Sequence, residues 1–279
     1  MLKKILIIFI TTLILVSAGI LITKSSGNDI EKAKKEISEN EIIKKVGIRQ
    51  MYYSGKLNIS FNKGKEYKEI PIDMDFFSYA TSILDASKTV NSRYLSHMKT
   101  AYALNNDKDV CILVTNDKGK TYSKTILKNA YKDYSRMYIN FANDDFGYFA
   151  ITYTTEYPNL QTDIYITKNG GDDFEKIDTS NDIYSKQIDM IGMLNENTIL
   201  LNIYDDLKMG PIVYKSADSG NGFEQVDVSL PEKYKNQYVE PHNICYLEDN
   251  IMLTYRVKNT GEEIDFISID KGNTFKYVK

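Results

Sequence analysis

Tryptophan is absent from this chain, and cysteine, histidine and arginine are nearly so, with two, two and four residues in 279. Each scarcity excludes a chemistry. His97 and His242 stand far apart, and no Cys/His cluster has ligand spacing, so no zinc centre is expected. Cys111 and Cys245 each lie in an apolar run, Val110–Val114 and Ile244–Leu247, where a thiol behaves as a small buried hydrophobe. A disulfide between them stays open for an exported chain. With only Arg49, Arg93, Arg136 and Arg256, bidentate carboxylate recognition is confined to few positions. A basic excess is also missing. The net charge is -3, and beyond residue 24 there are 32 basic against 38 acidic residues, which excludes a nucleic-acid binder. No glycine-rich loop follows a strand and opens a helix, so no phosphate cradle and no cofactor is expected. The acidic pairs Asp144-Asp145 and Asp205-Asp206 offer at most a weak calcium site, and acidic pairs in turns are usually solvated.

What is abundant is strand-forming material. There are 22 Tyr and 11 Phe, with many Ile, Val and Thr, the side chains that suit a pleated surface.

The amino terminus carries a different signal. Ile5 to Ile22 is an uncharged run of 18 residues behind Lys3-Lys4 and ahead of Lys24. That length is near the minimum for a membrane-spanning helix, and the paired lysines hold the amino terminus inside. Residues 1–24 therefore read as a signal anchor, single-pass, with the rest of the chain outside the cytoplasm. Val16-Ser17-Ala18 also offers a signal-peptidase site, giving a secreted protein instead. The apolar run continues past that site through Gly19-Ile20-Leu21-Ile22, longer than a cleaved signal needs, which favours the anchor. Residues 25–45 read as a helical stalk or linker. Asn28 or Asp29 can cap the helix. Opposite charges four apart, such as Glu31–Lys35 and Lys35–Glu39, support it. Ile30, Ala33 and Ile37 form a thin apolar stripe, which leaves a second reading in which the helix packs on the domain.

From residue 46 onwards one pattern recurs five times: Ser/Thr-x-Asp/Asn-x-Gly-x-x-aromatic. The copies run Ser60–Tyr67, Thr115–Tyr122, Thr167–Phe174, Ser216–Phe223 and Ser268–Phe275. Their central pairs are Asn62 with Gly64, Asp117 with Gly119, Asn169 with Gly171, Asp218 with Gly220, and Asp270 with Gly272, so the glycines are spaced 55, 52, 49 and 52 residues apart. A period of this size marks a repeat architecture. The Asp or Asn side chain accepts backbone N–H groups ahead of it, and glycine takes the positive-φ position. Apolar alternation flanks the copies, so each is the turn of a β-hairpin.

The pattern resembles the Asp-box, or BNR, repeat of sialidases and related propellers, over Leu57 to Lys279. The resemblance implies an all-β fold, a β-propeller of five four-stranded blades over 46–279, or six if residues 73–96 supply extra strands. It also places the boxes as outer-rim turns on one face. The opposite face then gathers Tyr134, Arg136, Tyr157, Asp205, Asp206, Tyr238, Glu240 and His242, all read here as loop or strand-entry residues that bind a ligand. Tyrosine loses little entropy on binding, and loops on a rigid scaffold commonly carry function.

A sialidase needs a tyrosine nucleophile and three arginines around the substrate carboxylate, which arginine binds bidentately. Its Phe-Arg-Ile-Pro signature is absent, with Gly47-Ile48-Arg49-Gln50 the nearest segment. The reading is therefore a non-catalytic binding or assembly module for a protein or glycan at the cell envelope, with no catalytic residue assigned. The alternative is a divergent glycoside hydrolase. If the anchor is retained, amino-terminal sequencing of the native protein reads from the first residues; a start at Gly19 would establish cleavage.

Overall fold

The computed structural model describes residues 27–39, 47–76, 92–106, 108–128, 134–156, 159–177, 188–203 and 209–278. The apolar run Ile5–Ile22 lies outside them. Among the described residues no helix is long and apolar enough to cross a membrane.

One helix, α1 (27–39), precedes five antiparallel sheets in strict chain order. The first contains β1 (Arg49–Tyr53), β2 (Lys56–Ser60) and β3 (Lys68–Glu69). The second contains β4 (Arg93–Leu95), β5 (Thr100–Asn105), β6 (Asp109–Thr115) and β7 (Ser123–Lys128). The third contains β8 (Tyr134–Phe141), β9 (Gly147–Glu156), β10 (Asn159–Thr167) and β11 (Glu175–Lys176). The fourth contains β12 (Ile188–Met193), β13 (Ile199–Ile203), β14 (Val213–Ser216) and β15 (Glu224–Val226). The fifth contains β16 (Val239–Leu247), β17 (Asn250–Val257), β18 (Glu263–Ser268) and β19 (Lys276–Val278).

Every sheet is a simple meander. Each of the others has four strands, and the first has three, as the sequence between residues 48 and 72 suggests. Its Asp-box turn joins β2 to β3, as the others join the third strand to the fourth. The strand without a counterpart among the described residues is therefore the innermost one.

The box turns are built as their residues predict. In each, two consecutive residues have positive φ: Lys63-Gly64, Lys118-Gly119, Gly170-Gly171, Ser219-Gly220 and Lys271-Gly272. That pairing is the type I′ signature, which matches the twist of a hairpin. The Ser or Thr hydroxyl opening each box accepts the glycine N–H at 2.8–2.9 Å. It donates to the Asp or Asn Oδ1 at 2.7–2.9 Å. That oxygen in turn accepts the N–H of the residue four positions on, at 2.9–3.2 Å. The first left-handed residue donates its own N–H to a carbonyl at the inner end of the same sheet: Gly47, Met98, Asp145, Asn197 or Asp249, at 2.7–3.2 Å.

The sheets pack face to face in succession, which sets the five-sheet propeller arrangement. Leu57 and Ile59 of the first meet Tyr102 and Leu113 of the second. Ala103 and Val114 of the second meet Ile139 and Phe149 of the third. Tyr148 and Ile164 of the third meet Ile191 and Leu201 of the fourth. Leu200 and Val213 of the fourth meet Leu253 and Phe266 of the fifth. The innermost strands touch in turn, β4 to β8, β8 to β12 and β12 to β16. The approach of β12 to β16 is close enough that a Cβ on Gly192 would stand 2.2 Å from Ile244 Cδ1. The far face of the fifth sheet is covered by α1 through Ile30, Ala33 and Ile37. Over its described turns, the helix is thus docked on the domain and is not a solvated spacer.

Gly119 has φ +70°, and its Cβ position lies 3.1 Å from the Tyr122 hydroxyl. Gly119→Val should cost roughly 1–3 kcal/mol through backbone strain. Ser216→Ala removes the acceptor of the buried Gly220 N–H, and should cost about 1–3 kcal/mol. Urea melts check both, and unchanged midpoints would show that these residues do not make the turns.

Candidate functional site

The inner strands enter from the side opposite the boxes, and three of them are irregular there. The register slips between Tyr134 and Arg136 in β8, between Ile188 and Met190 in β12, and between Pro241 and Asn243 in β16. A bulge of this kind re-aims side chains and is common beside functional sites. Here it recurs at the same level of three neighbouring sheets.

The residues that the bulges present come together. Arg136 Nη1 lies 2.5 Å from Asp189 Oδ1, bridging β8 to β12. The Asp189 side chain is buried, with 5% exposed, whereas that of Arg136 keeps 42%. The same Nη1 donates to the Asp189 carbonyl at 3.3 Å, and the Tyr138 hydroxyl donates to that carbonyl as well. Burial lowers the Arg136 pKa, but Tyr138, Asp189 and Glu240 together outweigh it and raise the value. Glu240 of β16 is thus an electrostatic neighbour of Arg136 across two sheets.

On the fifth sheet the register stacks Glu240 against Arg256 and Arg256 against Glu263. Arg256 Nη2 is 2.9 Å from Glu263 Oε1 and 2.8 Å from His242 Nε2. Lys258 Nζ is 3.2 Å from Glu240 Oε1. Beside this mixed-charge strip stand two exposed apolar side chains, Tyr238 at 44% and Met209 at 40%. They are linked through the Val239 N–H, which donates to the Met209 carbonyl at 3.3 Å. The segment leading into β16 is pinned by Tyr234, whose hydroxyl donates to Glu262 at 2.7 Å.

Of the residues read from the sequence, Glu240 and His242 share the strip around Arg256, with Tyr238 at its edge, and Arg136 is tied to it electrostatically through Glu240. Glu240 and His242 lie within β16, not in a link before it, because the strand begins at Val239. Tyr134 and Arg136 likewise lie within β8. Tyr134 is half-buried and packs into the core between the second and third sheets, so it does not line the site. Tyr157, Asp205 and Asp206 fall outside the described residues. Asp189, Arg256, Lys258, Glu263 and Met209 were not anticipated. Only Asp189 left a signal, as one charge at the head of the apolar run Ile188–Met193.

The box face has its own groove of about 470 Å³, lined by Asn143–Phe146, Lys168, Asn195 and Glu196. Its carboxylates do not converge: Lys168 pairs with Glu196 at 3.1 Å. The Asp144 carbonyl accepts from buried Lys99, whose amine sits 4.1 Å from the Phe141 ring centroid. Burial pulls the Lys99 pKa down to about 8 against the opposing pull of Asp144, Asp145 and Asp172. Among the described residues no three His, Cys, Asp or Glu side chains gather as metal ligands.

No protein-family model matches the sequence, and no curated protein matches it. Solved structures with some likeness include a family-74 xyloglucanase from Xanthomonas campestris, at 10% identity and TM-score 0.45, covering 83% of this chain and 35% of that one. Another is YCF48 bound to a D1 peptide, at 13% and 0.42, covering 80% and 61%. A third is a thermostable family-43 glycoside hydrolase, at 9% and 0.43, covering 68% and 72%. The chain thus spans about a third of the first and three-fifths of the second. With likeness at this level, the fold assignment rests on the sheet topology itself.

Asp189→Ala takes away the buried partner of Arg136 and should lower unfolding free energy by about 1–3 kcal/mol. Denaturant titration checks this, and wild-type stability in the variant would mean that the pair does not hold β8 to β12.

Proposed function

We propose that this chain is a membrane-tethered, extracytoplasmic binding or assembly module, holding a protein or glycan at the cell envelope on the face opposite the Asp boxes. The observation that carries the reading is the Arg136–Asp189 pair. A buried carboxylate fixes the guanidinium of an arginine whose side chain is itself 42% exposed. Such a group is preorganised to receive a partner at little entropic cost. Exposed Tyr238 and Met209, at the entry to the fifth sheet, add adaptable apolar surface. Tyrosine and arginine are the residues most enriched at binding hot spots.

Two features favour binding over bond cleavage. Each arginine is held by different groups: Arg49 by the Ile48 carbonyl, Arg93 by Gln50, Arg136 by Asp189, and Arg256 by His242 and Glu263. A carboxylate clamp of the sialidase kind needs three converging on one point. Tyr138, which shares the Asp189 carbonyl with Arg136, is buried, and burial pushes its hydroxyl up to about 12. A nucleophile needs the opposite change.

The test is capture of a partner from the native envelope with the full chain, followed by Arg136→Ala and Tyr238→Ala. A loss of about 2 kcal/mol in binding with an unchanged melting temperature supports the assignment. Undiminished binding moves the interface elsewhere. Release of sialic acid or another sugar by the wild-type protein overturns the non-catalytic reading.

A further inference from the structure

The helix before the first sheet has two faces with different surroundings. Ile30, Ala33 and Ile37 are buried against Cys245, Met252, Ile267 and Val278. Lys34 Nζ reaches Asp265 Oδ2 at 2.9 Å, in a pair that is largely shielded on both sides. Thr254 Oγ1 donates to the same carboxylate at 2.8 Å and holds it in place. The outer face is charged, with Lys32–Glu36 and Lys35–Glu39 at 3.8 and 3.9 Å.

A helix of this length is marginal alone in water, so its order depends on the sheet beneath it. That sheet in turn needs a cover. Its other face packs on the fourth sheet, and this face would otherwise present Cys245, Met252, Ile267 and Val278 to solvent. Repeat arrays need a terminal cap that is apolar inward and polar outward, and α1 has that form.

Only residues 23–26 separate α1 from the apolar run that ends at Ile22. Five Cα steps span at most about 18 Å. We propose that α1 clamps the flank of the fifth sheet against the membrane, so that the propeller lies on the lipid surface in one orientation and does not swing on a stalk. This rests on the anchor reading above. A helix that stood free would leave some 20 Å of rod between lipid and domain. A docked one removes that length and fixes which sheet is nearest the bilayer.

The experiment uses the full chain reconstituted in vesicles that carry a headgroup quencher. A fluorophore is placed at equivalent, exposed positions of two boxes, Asn273→Cys in the fifth and Lys120→Cys in the second. Cys111 is buried and stays unlabelled, and Cys245→Ala is carried in every variant because undocking α1 would uncover that thiol. Quenching several-fold stronger at 273 than at 120 is expected. Ile37→Asp should abolish the difference while the protein still floats with the vesicles. Lys34→Glu, which sets a carboxylate against Asp265, should do the same without loading the core. Equal quenching at the two positions overturns the proposal, as does a difference that survives both variants. Failure to float is read separately; it overturns the anchor itself, and the clamp with it.

Discussion

The first left-handed residue of each box donates its N–H to a carbonyl at the inner end of the same sheet. This bond ties the outermost hairpin of a sheet to its innermost turn, across the full width of the meander. A four-stranded antiparallel ribbon is free to twist and slide. Closing it with a bond between its first and third turns makes it a plate of defined shape. Plates of one shape then stack with regular contacts, and the inner strands approach closely enough that Gly192 has no room for a side chain against Ile244. The bond depends on a residue with φ near +60°, and four of the five boxes use Lys or Ser there at a conformational cost. That cost is offset by the hydroxyl and carboxylate or carboxamide bonds that hold the turn around it. Asp117 shows how strongly: the Thr121 N–H, with Thr115 and Lys120, draws its carboxyl down to about 2 although burial opposes this.

Most of this was legible in the residues. Hairpin positions, strand order and the three-stranded first sheet follow from box spacing and period-two alternation, both local signals. The strand entries were less legible. Glu240, Pro241 and His242 read as a link because proline and three polar residues precede Ile244, yet β16 absorbs them through a bulge that shifts the register between Pro241 and Asn243. Arg136 stood out by scarcity, but its partner could not be named. Asp189 lies 53 residues away, and only the stacking of β8 on β12 brings it near. Tyr134 failed for the same reason in reverse, since the direction of its side chain is set by the second sheet. The docking of α1 was open in the sequence because three apolar residues on a charged helix suit a stalk as well as a cap. What decides between them is the bare face of the last sheet, and no local pattern reports that.

The two faces of the propeller therefore do different work with different materials. The box face is held by backbone, hydroxyl and carboxylate bonds repeated five times, and its buried Lys99 is engaged by a carbonyl and a ring. Among the described residues the opposite face has no repeat. It is made of side chains from β8, β12, β16, β17 and β18, each contributed once. Regularity on one side leaves the other side free to vary.

Cys111 lies between the first and second sheets and Cys245 beneath α1, in separate cores, and neither is in a disulfide. Burial pushes the Cys111 thiol up to about 12, far from the thiolate that oxidants and exchange partners attack. A chain with this arrangement reaches the same folded state in an oxidising or a reducing compartment. Its folding asks nothing of an oxidoreductase.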